Sequence, residues 1–159
     1  MNVMALKIGD KAPNIKLFNT DKEEVNLSDY KEKNVVILFF PLAFTGTCTI
    51  ELCTVRDDIS NYNSANSEVL AISIDSLFSL GKFKAEQNLN FQVLSDFNKT
   101  ASTAYGCLYE TFVHDMRGVS KRSAFVVDKA GVIKYAEVLE VAGEQPNYNN
   151  IKACLSKLA

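Results

Sequence analysis

The 159 residues contain a single histidine, His114, and four cysteines that nowhere form a Cys-x-x-Cys pair. Each scarcity removes a class of chemistry. One histidine and scattered cysteines do not make up the ligand set of a zinc site, so no metal is expected. Without Cys-x-x-Cys, a dithiol oxidoreductase lacks its reactive pair. No glycine-rich loop is present to cradle a phosphate. Seventeen basic and nineteen acidic residues leave a formal charge of −2, which offers nucleic acid no basic patch. No segment approaches the ~20 apolar residues of a membrane span. Met1 to Lys7 lacks the apolar core and small-residue cleavage site of a signal peptide. A cytoplasmic location is therefore expected, where four cysteines are not a structural disulfide framework.

What is present is an apolar content of 47%, enough for one core, and a single domain over residues 1–159 is expected. Ile15 to Phe18 and Val25 to Leu27 alternate around Asn19-Thr20-Asp21-Lys22 and predict a hairpin. Val35 to Phe40 is an unbroken apolar run that predicts a fully buried strand, with Val69 to Ile74 as its parallel neighbour. Helices are predicted over Thr49 to about Asn61, Phe78 to Asn88 (capped by Asp75-Ser76), Asn98 to Tyr105 and Asn147 to Leu158. Phe91 to Leu94 predicts a short strand. Ala124 to Val127 and Val132 to Val138 flank a turn at Asp128-Lys129-Ala130-Gly131. Strands alternating with helices, then a hairpin and a last helix, imply an α/β fold: a mixed central sheet with helices on both faces.

The stretch from Pro41 to Cys48 carries the chemistry. Proline ends the buried strand, Gly46 is expected to allow a tight turn, and a helix follows. Cys48 thus falls in or beside the first helical turn, where free N–H groups and the helix dipole favour a thiolate. Thr45 places a hydroxyl three residues earlier on the same loop. The competing reading is packing. Cys48, Leu52, Val55 and Ile59 share one helix face, and most intracellular cysteines are small buried hydrophobes.

Pro41-x3-Thr45-x2-Cys48, within FFPLAFTGTCTIELCTVRD, resembles the active-site signature of the peroxiredoxins, thiol-dependent peroxidases of the AhpC/TSA superfamily. The string is most similar to the alkyl hydroperoxide reductase E-like and PrxQ (bacterioferritin-comigratory) branches. The likeness continues through Lys121-Arg122-Ser123-Ala124-Phe125-Val126-Val127-Asp128, where the family places an arginine at the edge of the active site. It extends from Ile8-Gly9-Asp10-Lys11-Ala12-Pro13 to the last helix. The resemblance implies a thioredoxin-like fold and Cys48 as the peroxidatic thiol. The substrate is then hydrogen peroxide or an alkyl hydroperoxide, reduced with no metal, haem or flavin cofactor, and thioredoxin or a glutaredoxin-like protein is the reductant. It implies a monomer or a homodimer, with Phe44 and the Pro41-to-Phe44 loop as candidate contacts.

Ionisation alone cannot make such a thiol fast. Lowering a thiol pKa from ~8.5 to ~6 raises the thiolate fraction at pH 7 about thirtyfold, and falling nucleophilicity returns part of that. The larger share must come from aligning the O–O bond and stabilising the leaving oxygen. The Thr45 hydroxyl can donate to peroxide while accepting from another group. Arg122 can hold both thiolate and peroxide, and Pro41 can shield the sulfur from water. Glu51 can orient Arg122 or Arg56, or merely favour the helix start.

The PrxQ pattern implies that Cys53 resolves the sulfenic acid to a disulfide; the alkyl hydroperoxide reductase E-like pattern uses one cysteine. On an ideal helix, residues five apart have Cα atoms about 8–9 Å from each other, beyond the ~7 Å reach of a disulfide. Resolution by Cys53 therefore requires the first turns to unwind. Cys107 is a weaker alternative resolver, Cys154 reads as packing, and His114 is given no catalytic role. A redox relay that passes its oxidation to a partner needs the same Cys48 environment as a peroxidase. An inert binding module is the third reading.

Overall fold

The computed structural model describes residues 6–158. Seven strands form one sheet: β1 (Lys16–Asn19), β2 (Glu24–Asn26), β3 (Asn34–Phe39), β4 (Ser67–Ser73), β5 (Gln92–Ser95), β6 (Ser123–Val127) and β7 (Ile133–Val138). Their order is β2-β1-β5-β4-β3-β6-β7. β4 runs parallel to both β3 and β5, and the remaining pairs are antiparallel. The predicted hairpin, the parallel pair and the β6–β7 hairpin all form. In the β6–β7 turn Gly131 takes φ +80, and the Asp128 carboxylate accepts from the Ala130 and Val132 amides at 2.9 Å.

β3 is buried from end to end, so its alternating side chains feed two cores. Val36, Leu38 and Phe40 point toward Leu52, Val55, Leu80, Phe83, Ile151 and Leu155 on three helices: α1 (Gly46–Asp57), α3 (Leu77–Gln87) and α5 (Tyr148–Leu158). Val35, Ile37 and Phe39 face Tyr105, Phe125 and the short helix α4 (Thr100–Ala104). Helices thus lie on both faces, with most of the helical mass on one.

The helix predicted from Thr49 to Asn61 is two helices. It starts earlier, at Gly46, and breaks at Asp58 before α2 (Ile59–Asn63). The Asp58 carboxylate accepts from Asn61 Nδ2 at 2.5 Å and from Lys152 Nζ at 2.6 Å. Aspartate competing for nearby donors is an ordinary helix interrupter, and the tie to Lys152 of α5 fixes the break. No helix among the described residues is long and apolar enough to cross a membrane.

Candidate active site

The buried strand β3 delivers the chain to Pro41, and α1 carries it away from the sheet. The loop between them turns at Phe44, which takes φ +66, and not at Gly46, which begins α1. Gly46 therefore does not serve as the expected turn residue; a Cβ there would meet nothing within 4 Å. Left-handed phenylalanine costs roughly 1–2 kcal/mol, which local contacts must offset. The Thr45 hydroxyl donates to the Leu42 carbonyl at 2.7 Å. The Ala43 amide donates to the Asp75 carboxylate at 2.9 Å, and the Phe44 ring meets Phe83 edge-on at 5.2 Å. The sequence predicts Asp75 as a helix cap together with Ser76. Ser76 alone caps α3, accepting from the Ser79 amide, and Asp75 serves the loop instead.

Cys48 is the third residue of α1 and 1% exposed. Its Sγ lies 3.4 Å from both terminal nitrogens of Arg122, so the guanidinium fork straddles the sulfur. The same fork donates to Glu51 Oε1 at 2.9 Å and to the Ala142 carbonyl at 2.8 Å. Arg122 precedes β6, and Glu51 follows Cys48 by one turn of α1, which puts both on the face that meets the guanidinium. Arg122 Nε and Glu51 Oε2 are buried without a partner. Burial pushes the Glu51 carboxyl up to about 7, and Arg122 pulls it back only in part; Glu137 adds to the rise. Burial pulls the Arg122 guanidinium down, but Glu51 and Cys48 outweigh it and the net shift is upward.

Above the sulfur lies a cavity of about 410 Å3. It is lined by Pro41, Leu42, Thr45, Gly46 and Thr47 from the segment that ends β3 and opens α1, and by Phe112, Val113, His114 and Met116. Arg122, Ala142 and Gly143 complete the lining. Because the Thr45 proton points to Leu42, its lone pairs face outward as acceptors, the reverse of the donor expected from sequence. The first N–H groups of α1 have no intrahelical acceptor, which makes this end of the helix receptive to negative charge. A thiol sulfur, a forked cation and a hydroxyl converge on one cavity.

Pro41, Thr45, Cys48, Glu51 and Arg122 are thus brought together, and Cys53 is not. Cys53 lies on the same unbroken helix but faces α3, where its Sγ meets Gln87 Oε1 at 3.4 Å. Glu51 pairs with Arg122 and not with Arg56, which binds Asp57 and the Gln87 carbonyl. Cys107 is fully buried on the other side of the sheet, and burial pushes its thiol up to about 12. Cys154, on α5, donates to the Lys134 carbonyl of β7 and is half-buried. His114, set aside from sequence, stands in the cavity wall with φ +56. The Ala142 carbonyl has no sequence signal at all, since any residue carries one.

A seven-stranded mixed sheet with helices on both faces and a thiol at a strand–helix junction defines a thioredoxin-like thiol protein. The profile of the AhpC/TSA family matches residues 8–136. The chain belongs to that family, the peroxiredoxins. Alkyl hydroperoxide reductase E of Mycobacterium tuberculosis is 36% identical over 136 residues, covering 84% of this chain and 86% of that one. Peroxiredoxin Bcp of Bacillus subtilis is 36% identical over 130 residues, covering 80% and 82%. The crystal structure of a peroxiredoxin-like protein from Aquifex aeolicus superimposes with a TM-score of 0.90 at 26% identity, covering 99% of this chain and 91% of that one. The chain spans about half the length of the chloroplastic 2-Cys peroxiredoxins it also matches, 52% of each.

Proposed function

We propose that this chain is a thiol-dependent peroxidase that reduces hydrogen peroxide and organic hydroperoxides at Cys48. The sulfur attacks one peroxide oxygen; an S–O bond forms as the O–O bond breaks. The electron pair leaves with the second oxygen, which takes a proton and departs as water or alcohol. Sulfur is oxidised to a sulfenic acid and the peroxide is reduced. The observation that carries this reading is the Arg122 fork, 3.4 Å from Sγ through both nitrogens. A planar cation so placed can follow negative charge from sulfur to the departing oxygen without moving far. Thr45 accepts the peroxide O–H and fixes its approach, and Pro41 and Leu42 keep water from the sulfur.

A small dithiol protein of the thioredoxin or glutaredoxin kind returns the sulfenic acid to the thiol. Cys53 can stand between them, capturing the sulfenic acid as a disulfide and releasing water, provided α1 opens. The one-cysteine cycle is favoured by a different observation: in the reduced protein Cys53 faces Gln87 and lies off the cavity. Steady-state peroxide consumption with thioredoxin and its reductase tests the reading. Wild type should consume many equivalents, and folded Cys48→Ser should consume none above background. A single equivalent consumed per wild-type chain supports a redox relay, and turnover by Cys48→Ser removes Cys48 from the chemistry.

A further inference from the structure

Between α4 and β6 the chain makes an excursion over residues 108–120, closed by bridges at Leu108–Ser120 and Thr111–Arg117. Its backbone is fixed at Tyr109, whose amide donates to the Val119 carbonyl at 2.7 Å and whose carbonyl accepts from Gly118. From that anchor the Tyr109 side chain contacts the excursion through Phe112 and the loop after β7 through Glu140. Its ring lies 5.0 Å from the Phe112 ring at 36°, and Phe112 is part of the cavity wall. Its hydroxyl donates to the Glu140 carbonyl at 2.9 Å. Glu140 is two residues before Ala142, whose carbonyl holds Arg122.

The neighbouring charges tighten the same joint. Lys121 Nζ pairs with Glu140 Oε1 at 3.0 Å and sits 5.6 Å from the Tyr109 ring centroid, within cation–π range. Lys121 is adjacent to Arg122 in the chain, so one side chain ties the loop to the strand that presents the guanidinium. Beyond this clasp the loop is exposed: Val141 is 57% exposed, and Gly143, Glu144 and Gln145 are all exposed. The Leu139 amide donates to the Arg122 carbonyl at 2.9 Å, and the clasp at Glu140 extends that pairing toward Ala142, whose carbonyl lies 2.8 Å from the fork.

We infer that Tyr109 is a positioning residue for the peroxidase reaction: its hydroxyl, through Glu140, fixes the loop carbonyl of Ala142 that aims Arg122 at Cys48. The inference rests on the role of Arg122 given under Proposed function. Tyr109 touches neither sulfur nor peroxide. It acts on the angle of the guanidinium, and removing its hydroxyl leaves the ring and the Phe112 contact in place.

Stopped-flow oxidation of the reduced protein by hydrogen peroxide tests this with Tyr109→Phe, Arg122→Lys and the double variant. Tyr109→Phe should slow oxidation about fivefold, the equivalent of one hydrogen bond. The effect should vanish in the Arg122→Lys background, because lysine has no fork for the loop to aim. The ratio of rates for cumene hydroperoxide and hydrogen peroxide should stay within about twofold of wild type in Tyr109→Phe. A Tyr109→Phe rate equal to wild type overturns the inference, as does an equal slowing in both backgrounds. If Arg122→Lys itself reacts at the wild-type rate, the role of Arg122 fails and the inference falls with it. If only Tyr109→Phe does, Arg122 keeps its role and the inference alone is wrong.

Discussion

Glu51 and Arg122 meet at 2.9 Å where neither reaches solvent, and each keeps one polar atom unpaired. A buried ion pair is weak evidence for stability, because desolvation can exceed the attraction. Here burial raises the carboxyl to about 7, Arg122 offsets that only in part, and the charge of Glu137 adds to the rise. Folding therefore strengthens proton binding at Glu51. The unfolded carboxyl is ionised above about 4.5 while the folded one keeps its proton to about 7. Stability from this group is full below the lower value and is lost as pH rises to the upper one. The loss across that window is of order 3 kcal/mol. Denaturant unfolding at pH 5 and pH 8 should show Glu51→Gln less pH-sensitive than wild type. Equal pH dependence of the two proteins would remove Glu51 as the source.

Ionised Glu51 also sets the direction of the Arg122 fork, so the same substitution should slow peroxide oxidation. Glutamine keeps the shape and an acceptor oxygen but not the charge. The ratio of wild-type to Glu51→Gln rates should rise from pH 6 to pH 8 as the wild-type carboxyl ionises. A flat ratio would mean that the carboxyl supports Arg122 by shape alone.

Arg122→Lys keeps one positive charge but cannot bind sulfur, Glu51 and the Ala142 carbonyl together. Second-order oxidation by peroxide should fall by roughly a hundredfold, about 2–3 kcal/mol of transition-state stabilisation. A fall of less than about threefold would reduce Arg122 to a buried structural cation.

Asp75 receives the Ala43 amide and the Ser73 hydroxyl, and it is the contact that restrains the loop on which Phe44 is left-handed. Asp75→Ala strands the Ala43 N–H in a half-buried place, at a cost of about 1–3 kcal/mol. Thermal unfolding should show that loss, and the oxidation rate should fall with it because Thr45 and Pro41 ride on the same loop. Unchanged stability and rate would show that Phe83 alone keeps Phe44 in place.

The parts of this fold visible from sequence are those written by side chains in local patterns. The buried strand β3 is an apolar run, and Cys48 follows a proline and precedes a helical period. Arg122 is legible only through the family resemblance, because an arginine at a strand edge otherwise predicts an exposed charge. What stayed hidden depends on tertiary partners. The helix break at Asp58 is fixed by Lys152, ninety-four residues away. Phe44 turns the loop against its own preference because Asp75 and Phe83 are there to compensate. The Phe112-to-Met116 wall has no period to read: His114 and Asp115 are both left-handed, and its position is set by bridges across the excursion.

Cys53 offers the sharpest test of how the cycle closes. Both cysteines lie within α1, which is continuous from Gly46 to Asp57, and all four thiols are free in this state. On such a helix their Cα atoms stand about 8–9 Å apart and their side chains diverge by roughly 140°. A disulfide between them must melt the first turns of α1. The second half of the helix is anchored by Arg56 to the Gln87 carbonyl and by Asn90 to the Arg56 carbonyl, so unwinding should be confined to the segment before Arg56. Cys53→Ser should be oxidised at Cys48 at close to the wild-type rate, because Cys53 is not in the cavity. It should then stall as sulfenic acid and pass to sulfinic acid in excess peroxide, with thioredoxin-supported turnover reduced. Oxidised wild type should lose helical circular dichroism that oxidised Cys53→Ser retains. Peptide mapping of the oxidised wild type decides between the cycles. A Cys48–Cys53 link establishes the two-cysteine route; its absence, with normal turnover of Cys53→Ser, leaves Cys48 to be resolved by a thiol from outside the chain.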